Sequence, residues 1–340
     1  MKNRMKHLGQ ILILLGVIFF LCSGPAAAKS IKLTYSNFFP PTHIQSKLSQ
    51  SWCDEVKKRT NGAVIVEYYP AGTLTKSKQI YDGVVSGLSD IGTALFAYTR
   101  GRFPVMEAVD LPLGYQSGVA ATKVVNAVYN EFKPKELMDT KVMYLHAHGP
   151  GVLHTKGKAV TTMADFKGMK FRGHGTSALV IKALGGTPVS MPMPDLYPSL
   201  QKGIIQGALY PIEVNKGWKM AEVTDHLTMS TSIAYTSSFY VVMNKDRWGA
   251  LPADIKKIIS QINLEWVDKH AAAWDSSDKV GLDYFKSKGH KVVELAPAEA
   301  ANWEKAVEPV IGQYIAKMDK AGFDGKKIVD FVKTTLKKSQ

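Results

Sequence analysis

The chain predicts an α/β protein of two lobes. Strand and helix patterns alternate through residues 31–94 and again through 141–210, and one long helical pattern follows from Pro252 to about Lys286. Alternation of this kind marks parallel sheets with crossover helices. The sequence has no internal repeat and no low-complexity linker, so the lobes should be joined by several short crossings.

The first 28 residues are read apart from the fold. Lys2, Arg4 and Lys6 form a basic head, Ile11 to Leu21 an apolar run, and Ala26-Ala27-Ala28 a small-residue cleavage site. That is a secretory signal peptide, because the apolar run is too short to span a bilayer. Leu21 stands before Cys22 where a lipid-attachment signal would need a small residue. Cleavage removes three basic residues and no acids, taking the formal charge from +14 to +11 and leaving 312 of 340 residues. That length suits two lobes with a large core. Cys53 alone would remain, which excludes an intramolecular disulfide in an oxidising compartment.

The elements follow in order. Ile31 to Tyr35 alternates as a strand and ends in Ser36-Asn37-Phe38-Phe39-Pro40-Pro41-Thr42-His43; a helix runs from about Ile44 to Arg59, stopped by Asn61-Gly62. Ala63 to Tyr69 alternates again, Pro70-Ala71-Gly72 breaks it, and a helix from about Ser77 to Ser86 leads to a strand over Asp90 to Ala94. In the second series, Lys141 to Ala147, Met169 to Arg172, Pro188 to Ser190 and Ala208 to Tyr210 read as strands. Helices are expected at Ser177 to Leu184 and Leu196 to Lys202. Ile255, Ile258, Ile259 and Ile262 recur at helical spacing, and the length of that helix suggests an element shared by both lobes.

A basic balance invites nucleic acid as a partner. Here the lysines are spread out and interleaved with acids, as in Asp54-Glu55-Val56-Lys57-Lys58-Arg59, which describes solvated helix faces. With export, the excess instead favours small organic anions or an acidic membrane surface.

Several segments together are more specific than any of them alone. They are Pro40-Pro41-Thr42-His43, Thr60-Asn61-Gly62, Tyr69-Pro70-Ala71-Gly72-Thr73-Leu74, Gly87-Leu88-Ser89-Asp90-Ile91, and the central Ala164-Asp165-Phe166-Lys167-Gly168-Met169-Lys170-Phe171-Arg172. Ala183-Leu184-Gly185-Gly186-Thr187-Pro188-Val189-Ser190-Met191-Pro192 follows, with Leu196 to Gly207 behind it. In this order and spacing the chain resembles the solute-binding proteins of TRAP transporters, the tripartite ATP-independent periplasmic carriers, from Tyr35 to about Ile259.

The resemblance implies a two-lobed periplasmic binding protein fold, α/β, with a ligand cleft between the lobes and a long helix spanning both. It divides the chain into the signal peptide 1–28, lobe I at 29–149 plus 239–279, and lobe II at 150–238 plus 280–340. It implies a periplasmic monomer that captures an organic acid and hands it to integral membrane subunits driven by an ion gradient. The binding component of an ATP-driven importer, or a ligand sensor, would share the fold.

The resemblance also implies that Arg172 pairs with a ligand carboxylate. The chemistry agrees, because a guanidinium can meet a carboxylate with two parallel charge-assisted bonds and lysine cannot. The plain alternative is a surface arginine ending a strand. Relatives that bind C4-dicarboxylates or sialic acids often have a second arginine upstream, but here that region reads His148-Gly149-Pro150-Gly151-Val152-Leu153. Where the family commonly carries Glu-Asn-Pro after the position of Gly207, this chain has Leu209-Tyr210-Pro211, a phenol in place of an amide.

Aromatic residues fall where cleft loops should lie. Phe38 and Phe39 follow the first strand, Phe96 and Tyr98 follow the strand ending near Ala94, and Trp218, Tyr235 and Phe239 flank the return to the first lobe. With Tyr210, and with His174 in the glycine-flanked turn behind Arg172, they make a mostly apolar site with few polar groups. Phe103, Tyr240, Trp248 and Trp303 are read as core. Glu213 is either a partner for a ligand amine or a solvated loop residue. One arginine amid aromatic rings favours an aromatic or bulky monocarboxylate, such as an aromatic 2-oxo acid, an aryl acetate or an aromatic amino acid. A small 2-oxo acid or a C4-dicarboxylate is the alternative.

Enzyme signatures are missing from the sequence: it has no Gly-x-Ser-x-Gly elbow, no His-Glu-x-x-His and no phosphate-binding Gly-x-x-x-x-Gly-Lys-Ser/Thr. His146 and His148 alternate on one strand face, but no third ligand stands at a telling spacing, so neither metal nor cofactor is expected.

Overall fold

The computed structural model describes residues 30–340; the predicted signal peptide lies outside them. β1 (Ile31–Asn37), α1 (Ile44–Arg59), β2 (Val64–Tyr69), α2 (Ile80–Val85) and β3 (Ile91–Leu95) form the first alternating series. After α3 (Gly118–Phe132) come β4 (Thr140–Ala147), β5 (Gly151–Thr155), β6 (Lys170–Gly173), α4 (Gly175–Ala183), β7 (Thr187–Ser190), α5 (Leu196–Gln201) and β8 (Gly207–Pro211). A short α6 (Val214–Gly217), β9 (His226–Met229), β10 (Ser238–Asn244) and α7 (Lys245–Gly249) precede the long α8 (Ala253–Ser287). The chain ends with β11 (Lys291–Glu294), α9 (Pro297–Lys320) and α10 (Gly325–Ser339).

The strands make two sheets, in the orders β2-β1-β3-β10-β4 and β11-β9-β5-β8-β6-β7. β1 runs parallel to β2 and β3, and β6 runs parallel to β7 and β8. The chain crosses to the second sheet between β4 and β5 and returns between β9 and β10. On its return, β10 inserts antiparallel between β3 and β4. All seven residues of β10 are buried, so its two faces show no alternation to read locally.

α8 is 35 residues long, about 50 Å at the ordinary rise. Its first half packs Ile255, Ile259, Ile262 and Trp266 into the core around β1 and α1, where Trp52 Nε1 donates to Asn263 Oδ1. Its end packs Phe285 against Val152 and Leu227 beneath the second sheet. Between them Gly281 lies against the backbone of Ile212 and Glu213, where any Cβ would collide. One helix therefore supports both sheets.

The tail differs from expectation at its end. Residues to 340 were expected with the second lobe, yet α10 packs on α3, with Phe331 edge-on to Phe132 at 5.4 Å between ring centres. The apolar stripe Ile328, Val329, Val332 and Leu336 finds its partner there.

Candidate functional site

The central motif places Arg172 by ordinary local rules. Asp165 accepts from Thr161 N, Thr162 N and Thr162 Oγ1, fixing the turn Met163–Phe166. Gly168 then takes a φ of +79°, a left-handed turn that glycine allows without strain. In β6 successive side chains point to opposite faces. Phe171 goes down into a core with Phe166 and Trp303, so Arg172 goes up into the space between the sheets.

Arg172 is 1 % exposed. Its Nε donates to Met191 O at 3.1 Å and its Nη1 to Leu209 O at 3.3 Å, while Nη2 is buried without a partner. The alternative of a surface arginine is thereby excluded. The guanidinium is held by two carbonyls and keeps one unpaired donor, and no carboxylate is bonded to it among the described residues, an arrangement able to take an anion.

The cavity it faces lies between the two sheets. Eight of the nine site residues expected from the sequence line it: Arg172, Tyr210, Phe38, Tyr98, Glu213, Trp218, His174 and Phe239. Phe96 does not. It opens the short turn Phe96–Tyr98 and packs against Phe103 and Tyr240, because only the third residue of that turn aims at the cavity. Trp274, Phe39, His148, Met193 and Tyr235 also line it. Trp274 escaped notice because it sits mid-way along α8, where an aromatic reads as helix core.

The rings form one continuous wall. Phe38 lies 6.1 Å from Trp218 in a stacked pair and 5.6 Å from Tyr98 edge-on, and Phe239 stacks on Trp274 at 5.2 Å. Tyr98 bridges the sheets, its hydroxyl accepting from Met193 N at 2.9 Å and its ring standing edge-on to His174. Tyr210 lines the cavity with His154 stacked on its ring at 3.7 Å, and its hydroxyl is bonded to Thr224 Oγ1 at 3.1 Å. His174 belongs to the junction of β6 and α4, where its N–H donates to Ser177 Oγ, and so is fixed rather than flexible.

The electrostatics favour an anion. Burial, and then the Arg172 charge, hold His174 well below its usual range. His148 is pushed down to about 4, chiefly by burial, with Arg172 adding to it. Both imidazoles are neutral at pH 7, leaving the guanidinium as the cation of this end. Glu213 is 2 % exposed and accepts from His43 Nε2 at 3.0 Å, so it is not a solvated loop residue. His146 accepts from Trp274 Nε1 and stacks on His270, and among the described residues no group of three His, Cys, Asp or Glu is placed to hold a metal ion.

Two sheets, a spanning helix and a buried cavity between them are the two-lobed periplasmic binding fold. The chain belongs to the bacterial extracellular solute-binding protein family 7 (DctP), which matches residues 35–318, the family of TRAP solute-binding proteins. It is 28% identical over 293 residues to the C4-dicarboxylate-binding periplasmic protein DctP of Rhodobacter capsulatus, covering 85% of this chain and 87% of that one. A Rhodoferax ferrireducens TRAP solute-binding protein solved with copurified benzoate is 30% identical, with a TM-score of 0.85 over 91% of this chain and 98% of that one. A marine metagenome TRAP protein specific for aromatic acid ligands, solved with metahydroxyphenylacetate, is also 30% identical, with a TM-score of 0.87 over 92% and 100%. Among the described residues no helix is long and apolar enough to cross a membrane.

Proposed function

We propose that this chain captures an aromatic monocarboxylate outside the cytoplasm and delivers it, as a monomer, to the membrane subunits of a TRAP transporter. The observation that carries the reading is the unpaired, buried Nη2 of Arg172 in a cavity walled by Phe38, Tyr98, Tyr210, Trp218 and Phe239. A carboxylate would satisfy that donor, and the rings would take up a flat apolar body, each good ring pair adding about 0.5–1.5 kcal/mol beyond area burial. The two relatives with aromatic acids support this reading. In the proposal, residues 29–149 with 239–279 form one lobe and 150–238 with the segment from 280 the other, α10 being docked back on the first.

A C4-dicarboxylate, as the Rhodobacter relative's name records, would bring a second carboxylate. With Arg172 as the cavity's cation, that charge would carry a desolvation cost of several kcal/mol. A thermal-shift panel decides, since a ligand of the native state raises the melting temperature. Benzoate and aryl acetates should raise it more than succinate or malate. Stabilisation by the dicarboxylates alone would overturn the aromatic reading and leave the family untouched.

A further inference from the structure

The cavity holds a second buried charge that the carboxylate reading leaves unused. Glu213 lines it with Arg172, yet the two form no ion pair with each other. Glu213 lies just past β8 and starts α6, and its own N–H donates to Asp278 Oδ1. Its side chain reaches across to the loop between β1 and α1, where His43 Nε2 meets its Oε2 at 3.0 Å.

The tautomer of His43 decides what that contact is. Its Nδ1 accepts from Gln45 N at 3.2 Å as the cap of α1, so the ring proton is on Nε2, which donates to Glu213. The carboxylate is thus held by the His43 N–H at the positive end of a 16-residue helix. Gly217 makes room for it, because a Cβ there would strike both Glu213 Oε2 and His43 Nε2. Phe39 stacks on His43 at 4.5 Å and fixes the ring. Among the described residues no other side chain bonds the Glu213 carboxylate.

We infer that Glu213, positioned by His43, is the second polar anchor of this cavity and takes a hydrogen-bond donor carried by the ligand's ring. The inference rests on the aromatic-monocarboxylate reading and narrows it. The ligand is an aromatic acid with a hydroxyl or amino substituent, its carboxylate on Arg172 and its donor on Glu213. A site built to bond such a donor discriminates strongly against an analogue that lacks it, because the buried acceptor is then left unpaired.

Calorimetry with benzoate, 3-hydroxybenzoate, 3-aminobenzoate and 3-methoxybenzoate tests this on the mature protein and on Glu213→Met and Glu213→Gln. The unaltered protein should bind at least one donor-bearing acid about tenfold or more tighter than benzoate, and the methoxy acid, which keeps the oxygen and loses the donor, no better than benzoate. The hydroxy and amino arms identify which donor the site takes. Glu213→Met should collapse the ratio, and Glu213→Gln, which keeps the shape should the methionine variant fail to fold, should reduce it. Equal affinity for benzoate and both donor-bearing acids, or a preference undiminished in the variants, overturns the inference while leaving the aromatic reading standing. Failure of every aromatic acid to bind removes both.

Discussion

From the side of the first sheet the cavity receives Phe38, Phe39, Leu95, Tyr98 and Phe239; from the side of the second it receives Arg172, His174, Tyr210, Glu213 and Trp218. The first set carries no charge, whereas the second carries both ionic groups. This division follows from local structure. In β6 a buried Phe171 forces Arg172 to the opposite face, while the first-sheet side presents rings from the loop after β1, from β3 and the turn behind it, and from β10. On the proposed reading, one wall would fix a ligand's charge before the other covers its body, dividing recognition and enclosure between different segments.

The largest blow to that division should come from Arg172. Arg172→Lys keeps the charge and loses the fork, and should weaken aromatic-acid binding by roughly 2–4 kcal/mol, with Arg172→Ala at or beyond the upper end. Titration calorimetry reads it directly. Near-native affinity in the alanine variant would place the carboxylate elsewhere and end the comparison of walls as drawn.

How the walls are made was only partly legible in the sequence. Arg172 could be found because the resemblance marks its position, and the turn Asp165-Phe166-Lys167-Gly168 that leads into its strand follows local rules. The two alternating series came through for the same reason, since each strand and helix carries its own periodicity. Three things did not. β10 is buried along its whole length, so no alternation marked it as a strand, and its return to the first lobe came from the resemblance alone. Glu213 and His43 lie 170 residues apart, and only the assembled cavity shows that they bond. Phe96 and Tyr98 look equivalent in a strand-end loop, yet a three-residue turn sends them to different places.

A second test concerns a carboxyl near the first-sheet side that is kept neutral. Asp110 is buried, accepts from Ser238 N and Ser238 Oγ, and is pushed up to about 8 by burial. Its folded pKa lies above its unfolded one, so between about pH 4 and 8 the folded state holds a proton that the unfolded state lacks. Stability from this group is therefore present at the acid end of that window and declines as pH rises through it. Each pH unit with a one-proton difference is worth about 1.4 kcal/mol, so the decline from about pH 6 to 8 is about 2 kcal/mol. The buried histidines act oppositely: His148 and His154 have lowered folded values, and their contribution is lost as pH falls below about 6.5. Asp110→Asn keeps the acceptor for Ser238 and removes the titration. Its stability relative to the parent, measured by denaturant unfolding, should rise steadily between pH 6 and 8; a pH-independent difference would mean Asp110 is ionised in the fold.

The smallest expected effect sharpens the comparison most, because it acts on the join between the walls. Tyr98 comes from the first-sheet side, and its hydroxyl accepts from Met193 N on the second. Tyr98→Phe keeps the ring and leaves that N–H without its partner in the closed arrangement, at a cost of about 1 kcal/mol. Closed lobes should become harder to reach, so every aromatic acid should bind about fivefold more weakly while their order of preference stays the same. Solution scattering gives the independent readout. The parent protein should shrink in radius of gyration when benzoate saturates it, and the variant should reach the same compact value only at higher benzoate. If the parent does not contract, its cavity is rigid, and the two walls recognise and enclose the ligand in one step.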